Sequence, residues 1–131
     1  MTFFFDHCVA PRIAKALCLF DKDIRILQEV FRPDIPDTEW MPAVEKQGWI
    51  VVTEDSRIRR RQLERAMLKG STLRMIFLPE PFTREVLWEK FVKIVQWWSE
   101  IEEACEGLAP GTRLIMKTKK GKLHISVLES L

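Results

Sequence analysis

Apolar residues fall along this chain in short blocks, and the spacing inside each block separates strands from helices. Phe3-Phe4-Phe5 is a continuous aromatic run that predicts a buried strand over Thr2 to Phe5, with Asp6 directly after it. Pro11 stands where a first helical turn tolerates it, and Ile13, Ala14 and Leu17 recur at helical spacing. A helix is therefore predicted from about Ala10 to Phe20. From Ile24 to Phe31 the side chains sort into two alternating sets, which predicts a second strand. Arg32-Pro33-Asp34-Ile35-Pro36 is a turn-rich linker. Asp37 to Gln47 predicts a helix, opened by Asp37 and Glu39 at the positive end of its dipole and ended by Gly48.

Trp49 to Thr53 is apolar and β-branched, the mark of a buried central strand. Glu54-Asp55-Ser56 follows. Arg59 to Lys69 is helical by propensity and closes at Gly70. Leu73 to Leu78 predicts another buried strand, ended by Pro79 and Pro81. Thr83 caps a long predicted helix reaching Cys105, with Leu87, Phe91, Ile94, Val95, Trp98, Ile101 and Cys105 along one side. Arg113 to Leu128 predicts a hairpin around Lys119-Lys120-Gly121. Strands alternating with helices imply a three-layer α/β fold: a mainly parallel sheet covered on both faces, followed by a C-terminal β-hairpin. The chain of 131 residues fits one domain, with a core over about 1–107 and the hairpin over about 112–128.

Composition narrows the function. Hydrophobic residues make up 47% and charged residues 31%, which excludes a disordered chain. The net charge of +2 is close to neutral, so affinity for a nucleic acid must come from a local patch. Cys8, Cys18 and Cys105 are an odd count without CxxC spacing and read as reduced thiols. The apolar run at Phe3 is too short for a secretory leader, and no stretch is long enough to span a membrane. The expected location is the cytoplasm.

The candidate chemistry lies in the acids. In open α/β sheets, sites form beyond the carboxyl ends of the strands. Asp6 follows the first strand, Asp55 follows the third, and Asp37 opens the helix between the second and third. If the first and third strands are neighbours, the three carboxylates converge on one edge. Clustered carboxylates repel unless a cation neutralises them, and hard oxygen donors favour Mg²⁺ or Mn²⁺. Such a cation activates water and offsets charge building on a phosphodiester. Asp37 and Asp55 each have an alternative role as a helix cap, and Asp6 as a turn residue.

These residues carry a resemblance. Phe3-Phe4-Phe5-Asp6 before an amphipathic helix resembles the opening of PIN-like domains. Pro36-Asp37-Thr38-Glu39-Trp40-Met41-Pro42-Ala43 resembles the second acidic motif of PIN-like relatives of VapC-type toxins. Trp49 to Ile58, a buried strand ending in Thr53-Glu54-Asp55, is similar to their third motif. The resemblance covers about residues 3–78. It implies a ribonuclease dependent on Mg²⁺ or Mn²⁺, commonly the toxin of a toxin–antitoxin pair, with RNA as substrate and an antitoxin protein as partner. Asp6, Asp37 and Asp55 carry over as catalytic, metal-binding acids. Glu39 is the further acid, or the substitute should Asp37 face away. Thr53 and Ser56 carry over as supporting hydroxyls. A later acid of larger PIN domains has only Glu80 in its place, and the hairpin has no counterpart in the matched motifs.

Arg57, Arg59, Arg60 and Arg61 follow Asp55 and would draw in a phosphate backbone, or form a solvated helix face with Glu64. Arg57, Arg59 and Arg60 are the candidate RNA contacts. Lys117, Lys119, Lys120 and Lys122 crowd the hairpin tip, as an RNA-guiding or partner-binding finger or as an edge that resists aggregation. His7 beside Cys8 lacks a catalytic constellation, since the other histidine is His124. Trp88, Trp97 and Trp98 lie on the long helix and serve the core, a homodimer or an antitoxin. Two competing readings remain. One is a catalytically inactive PIN-like protein-binding module. The other is a phosphoacceptor receiver domain, which lacks here an acidic pair at the first strand and a lysine after Leu78.

Overall fold

The computed structural model describes residues 1–55, 62–80 and 84–128, with side chains in the fourth helix described from Arg65 onward. The elements are β1 (Phe3–Phe5), α1 (Pro11–Cys18), β2 (Ile24–Ile26), α2 (Leu27–Val30), α3 (Asp37–Gln47), β3 (Ile50–Thr53), α4 (Gln62–Leu68), β4 (Arg74–Phe77), α5 (Leu87–Cys105), β5 (Arg113–Lys119) and β6 (Lys122–Val127). The strands form one sheet in the order β2-β1-β3-β4-β5-β6. All neighbours are parallel except β5 and β6. The mixed, mainly parallel sheet with a closing antiparallel hairpin is the architecture the strand–helix alternation implied.

Side-chain alternation divides the core in two. Phe3 and Phe5 face one side with Ile13, Ala14 and Leu17 of α1 and Ile94, Trp98 and Ile101 of α5. Phe4 and Val51 face the other with Trp40 and Val44 of α3 and Leu68 of α4. Phe4, Val44, Val51, Ile94 and Ile101 have no exposed surface, and each large apolar side chain so enclosed is worth about 1.5–3 kcal/mol.

Three expectations need correction. The second strand stops at Ile26, and Leu27 to Val30 is a helical turn. Its partner strand ends at Phe5, so the ladder has nothing to pair with beyond Ile26. Leu27 is buried with Phe4 and Trp40, on the face opposite Ile26. The first helix ends at Cys18, leaving Leu19 and Phe20 exposed beyond it. The long helix starts at Leu87 with Val86 before it, and Thr83 lies outside the described residues. The hairpin joins the main sheet: β5 pairs in parallel with β4, from Met75 beside Arg113 to Phe77 beside Ile115.

Topology selects the site. From β1 the chain crosses to β2 on one side, and β3 lies on the other. The helix after β1 covers one face and the helix after β3 covers the opposite face. The strand order therefore reverses between β1 and β3, and in open α/β sheets sites form beyond the carboxyl ends of strands at such a point.

Candidate functional site

Asp6 directly follows β1 at that end of the sheet. Its amide donates to the Val52 carbonyl at 3.4 Å, carrying the β1–β3 ladder one residue past Phe5. The chain then turns, and the Cys8 amide donates back to Asp6 Oδ1 at 3.1 Å, an Asx turn that fixes the carboxyl plane. The Thr53 hydroxyl donates to Asp6 Oδ2 at 2.5 Å, and the Asp55 amide donates to Thr53 Oγ1 at 3.0 Å. Thr53 thus couples the loop after β3 to the acid after β1. Asp6 and Thr53 have no exposed surface, and Asp55 is buried.

Asp37 is the first residue of α3 and also buried. Pro36 precedes the helix and no side-chain cap bond is made there, so Asp37 is not a cap. Instead Trp40 Nε1 donates to Asp37 Oδ1 at 2.8 Å. One helical turn places residues i and i+3 on the same side, which explains this local pairing. Glu39 is on the opposite, exposed side and bonds Arg32 at 2.7 Å. Of the two α3 acids, Asp37 is the one turned inward.

Electrostatics set Asp6 apart. Burial pushes its carboxyl from 3.8 up to about 7, the Thr53 and Cys8 hydrogen bonds oppose this, and the charges of Asp37 and Asp55 add to it. The three acids therefore feel one another, as the strand order requires. Beside them, burial raises the Glu54 carboxyl, while the Lys90 ammonium at 3.2 Å from Oε1 holds it down. Glu54 Oε2 is buried without a hydrogen-bond partner.

The donors suit a hard divalent cation in kind: they are enclosed carboxylate oxygens. Among the described residues, no group of three or more His, Cys, Asp or Glu is placed closely enough to hold a metal ion. Ser56, Arg57, Arg59, Arg60 and Arg61 lie outside the described residues. Cys8 reaches the site through its amide, and His124 sits in β6.

The sequence reading missed three contributors. Trp40 was signalled by its place three residues after Asp37. The Cys8 amide and the Glu54–Lys90 pair had no local signal, since one depends on a turn and the other joins residues 36 positions apart. Trp98 packs edge-on against Phe3 at 4.9 Å and belongs to the core, Trp97 packs beside it, and Trp88 is 70% exposed. Among the described residues, no helix is long and apolar enough to cross a membrane.

A family model described as a PIN like domain matches residues 1–80. No curated protein and no solved structure matches the chain. The matched span takes in Asp6, Asp37 and Asp55 and ends before α5 and the β5–β6 hairpin. The chain belongs to the PIN-like domain family, a family that often includes nucleases.

Proposed function

We propose that the chain is a metal-dependent endoribonuclease with Asp6, Asp37 and Asp55 as its acids and Mg²⁺ or Mn²⁺ as its cation. The observation that supports this is the state of Asp6. It is wholly buried, bonded at both oxygens, and raised to about 7. Near neutral pH such a carboxyl takes up either a proton or a cation, a property concentrated at catalytic sites. Bound there, the cation would activate water and offset charge on the phosphodiester.

The chain's own groups have separate tasks. Thr53 and the Cys8 amide orient Asp6, and Trp40 orients Asp37. Ser56 is proposed as a second supporting hydroxyl, and Arg57, Arg59 and Arg60 as contacts to the RNA backbone. Glu39, held by Arg32, is left out of the acid set. In this proposal the enzyme is the toxin of a type II toxin–antitoxin pair in the cytoplasm. Its partners are an antitoxin and a second copy of the chain, and the exposed Leu19, Phe20 and Trp88 are surface such a partner would cover.

The second reading is a catalytically inactive PIN-like protein-binding module. It is favoured by the spacing of the acids, none of which are grouped as an ion-holding set among the described residues. One experiment separates the two. A mixed labelled RNA pool is incubated with purified protein and Mg²⁺, Mn²⁺ or EDTA, beside the Asp55→Asn variant. Metal-dependent cutting that vanishes in the variant supports the nuclease. Absence of cutting with either metal rejects it in favour of the binding module.

A further inference from the structure

Between Arg113 and Val127 the chain carries five cationic side chains and no acid, in a molecule whose net charge is only +2. The sheet shows where this charge is displayed. The last β4 residue, Phe77, pairs with Ile115, yet β5 continues to Lys119. Strands β1, β3, β4 and β5 run the same way, so the overhang leaves the sheet at the end where Asp6 and Asp55 lie. At about 3.3 Å per residue the hairpin projects roughly 13 Å beyond β4.

Alternation then chooses the face. Ile115 packs with the cluster that holds Phe4 and Val51, so Lys117 and Lys119 continue on that face, the one α3 and α4 cover further down. Cross-strand pairing adds His124 opposite Lys117 and Lys122 opposite Lys119. Lys120 and Gly121 both have positive φ, the pattern of a tight two-residue turn. Like charges directly opposite one another destabilise a hairpin, so the fold gains nothing from Lys119 facing Lys122.

At the base of the overhang lies a cleft of about 380 Å³, bounded by residues 77–80 and by Lys117, Thr118 and Lys119. Strand spacing places β5 about 10 Å from β3 and about 14 Å from β1. Glu80 also lines the cleft, so its anionic ligand must approach from the lysine side.

We infer that this hairpin and cleft form a second RNA-binding element, which holds the sugar-phosphate backbone of single-stranded RNA on Lys117, Lys119 and Lys122 and leads it across the strand ends toward Asp6 and Asp55. The inference rests on the nuclease reading for its choice of RNA. Its three lysines lie outside the span that carries the family match.

The test is fluorescence anisotropy of a short labelled single-stranded RNA in EDTA, over a series of salt concentrations. The wild-type protein is compared with a triple variant, Lys117→Ala, Lys119→Ala and Lys122→Ala, and with the corresponding triple arginine variant. Each lost phosphate contact removes about 0.7 from the slope of log affinity against log salt. The alanine variant is expected to bind about tenfold or more weakly, with a slope smaller by about 2. The arginine variant is expected to bind like the wild type. Unchanged affinity and slope in the alanine variant overturn the inference, as does equal loss in both variants. Cleavage by the wild type, measured alongside, keeps the two ideas apart. Lysine-dependent binding without metal-dependent cutting sinks the nuclease reading and leaves the cleft standing. Cutting with lysine-independent binding does the reverse.

Discussion

The Thr53 hydroxyl donates to Asp6 Oδ2 at 2.5 Å, joining residues 47 positions apart across the β1–β3 boundary. Thr53 Oγ1 in turn accepts the Asp55 amide, so one side chain holds two of the acids in place.

Replacing Thr53 by Val keeps the shape and removes the hydroxyl. Asp6 Oδ2 and the Asp55 amide then lose a partner inside a buried site. A loss of about 1–3 kcal/mol is expected in urea unfolding, together with weaker RNA cleavage. Thr53→Ser restores the hydroxyl and is expected to recover most of both. Wild-type stability in Thr53→Val would remove this bond from the account.

Asp6 makes stability fall as pH rises in protein without divalent cation. Its carboxyl titrates near 3.8 in the unfolded chain and at about 7 when folded. Between those values the folded state holds a proton that the unfolded state has released, so stability declines with rising pH. Below 3.8 both states are protonated and the contribution is whole; above about 7 it is lost. Asp6→Asn has no such titration. The stability difference between Asp6→Asn and wild type is therefore expected to grow from pH 4 to 7 and then level off. A difference independent of pH would refute the raised carboxyl.

Trp40→Phe tests the orientation of Asp37. Phenylalanine retains an aromatic ring against Phe4, now 5.3 Å from the Trp40 ring, and loses the indole donor to Asp37 Oδ1. Partners that orient a metal-binding carboxylate contribute about ten- to a hundredfold in affinity or activity. Mn²⁺ titration by calorimetry is expected to show a loss of that size, with stability reduced by about 1–3 kcal/mol because a buried acceptor loses its donor. Unaltered Mn²⁺ affinity would show that Asp37 acts without the indole.

Lys90→Met leaves Glu54 enclosed without its cation. Both side chains of this pair are largely buried, so breaking it is expected to cost about 3 kcal/mol in chemical denaturation. Adding Glu54→Gln removes the stranded charge and should recover much of that loss. A Lys90→Met protein as stable as wild type would mean that solvent reaches Glu54.

Much of the fold was legible because it follows from local periodicity. Ile50 to Thr53 announces a buried strand by β-branching alone, and Gly48, at φ 73, ends α3 where the sequence placed its stop. Ile24 to Phe31 misled because alternation is a property of paired strands, and pairing depends on how long the partner is. Eight alternating residues meet a three-residue neighbour, so only Ile24 to Ile26 can join the ladder.

By itself the sequence determined the element types, the three acids at strand and helix ends, and the lysines of the hairpin. These depend on which residues are near one another along the chain. Tertiary structure alone decided that β3 lies beside β1, that Thr53 bridges Asp6 to Asp55, that Asp37 turns inward while Glu39 turns out to Arg32, and that the hairpin extends the sheet past β4. Those relationships join residues far apart in the chain, and only the burial of both sheet faces brings them together.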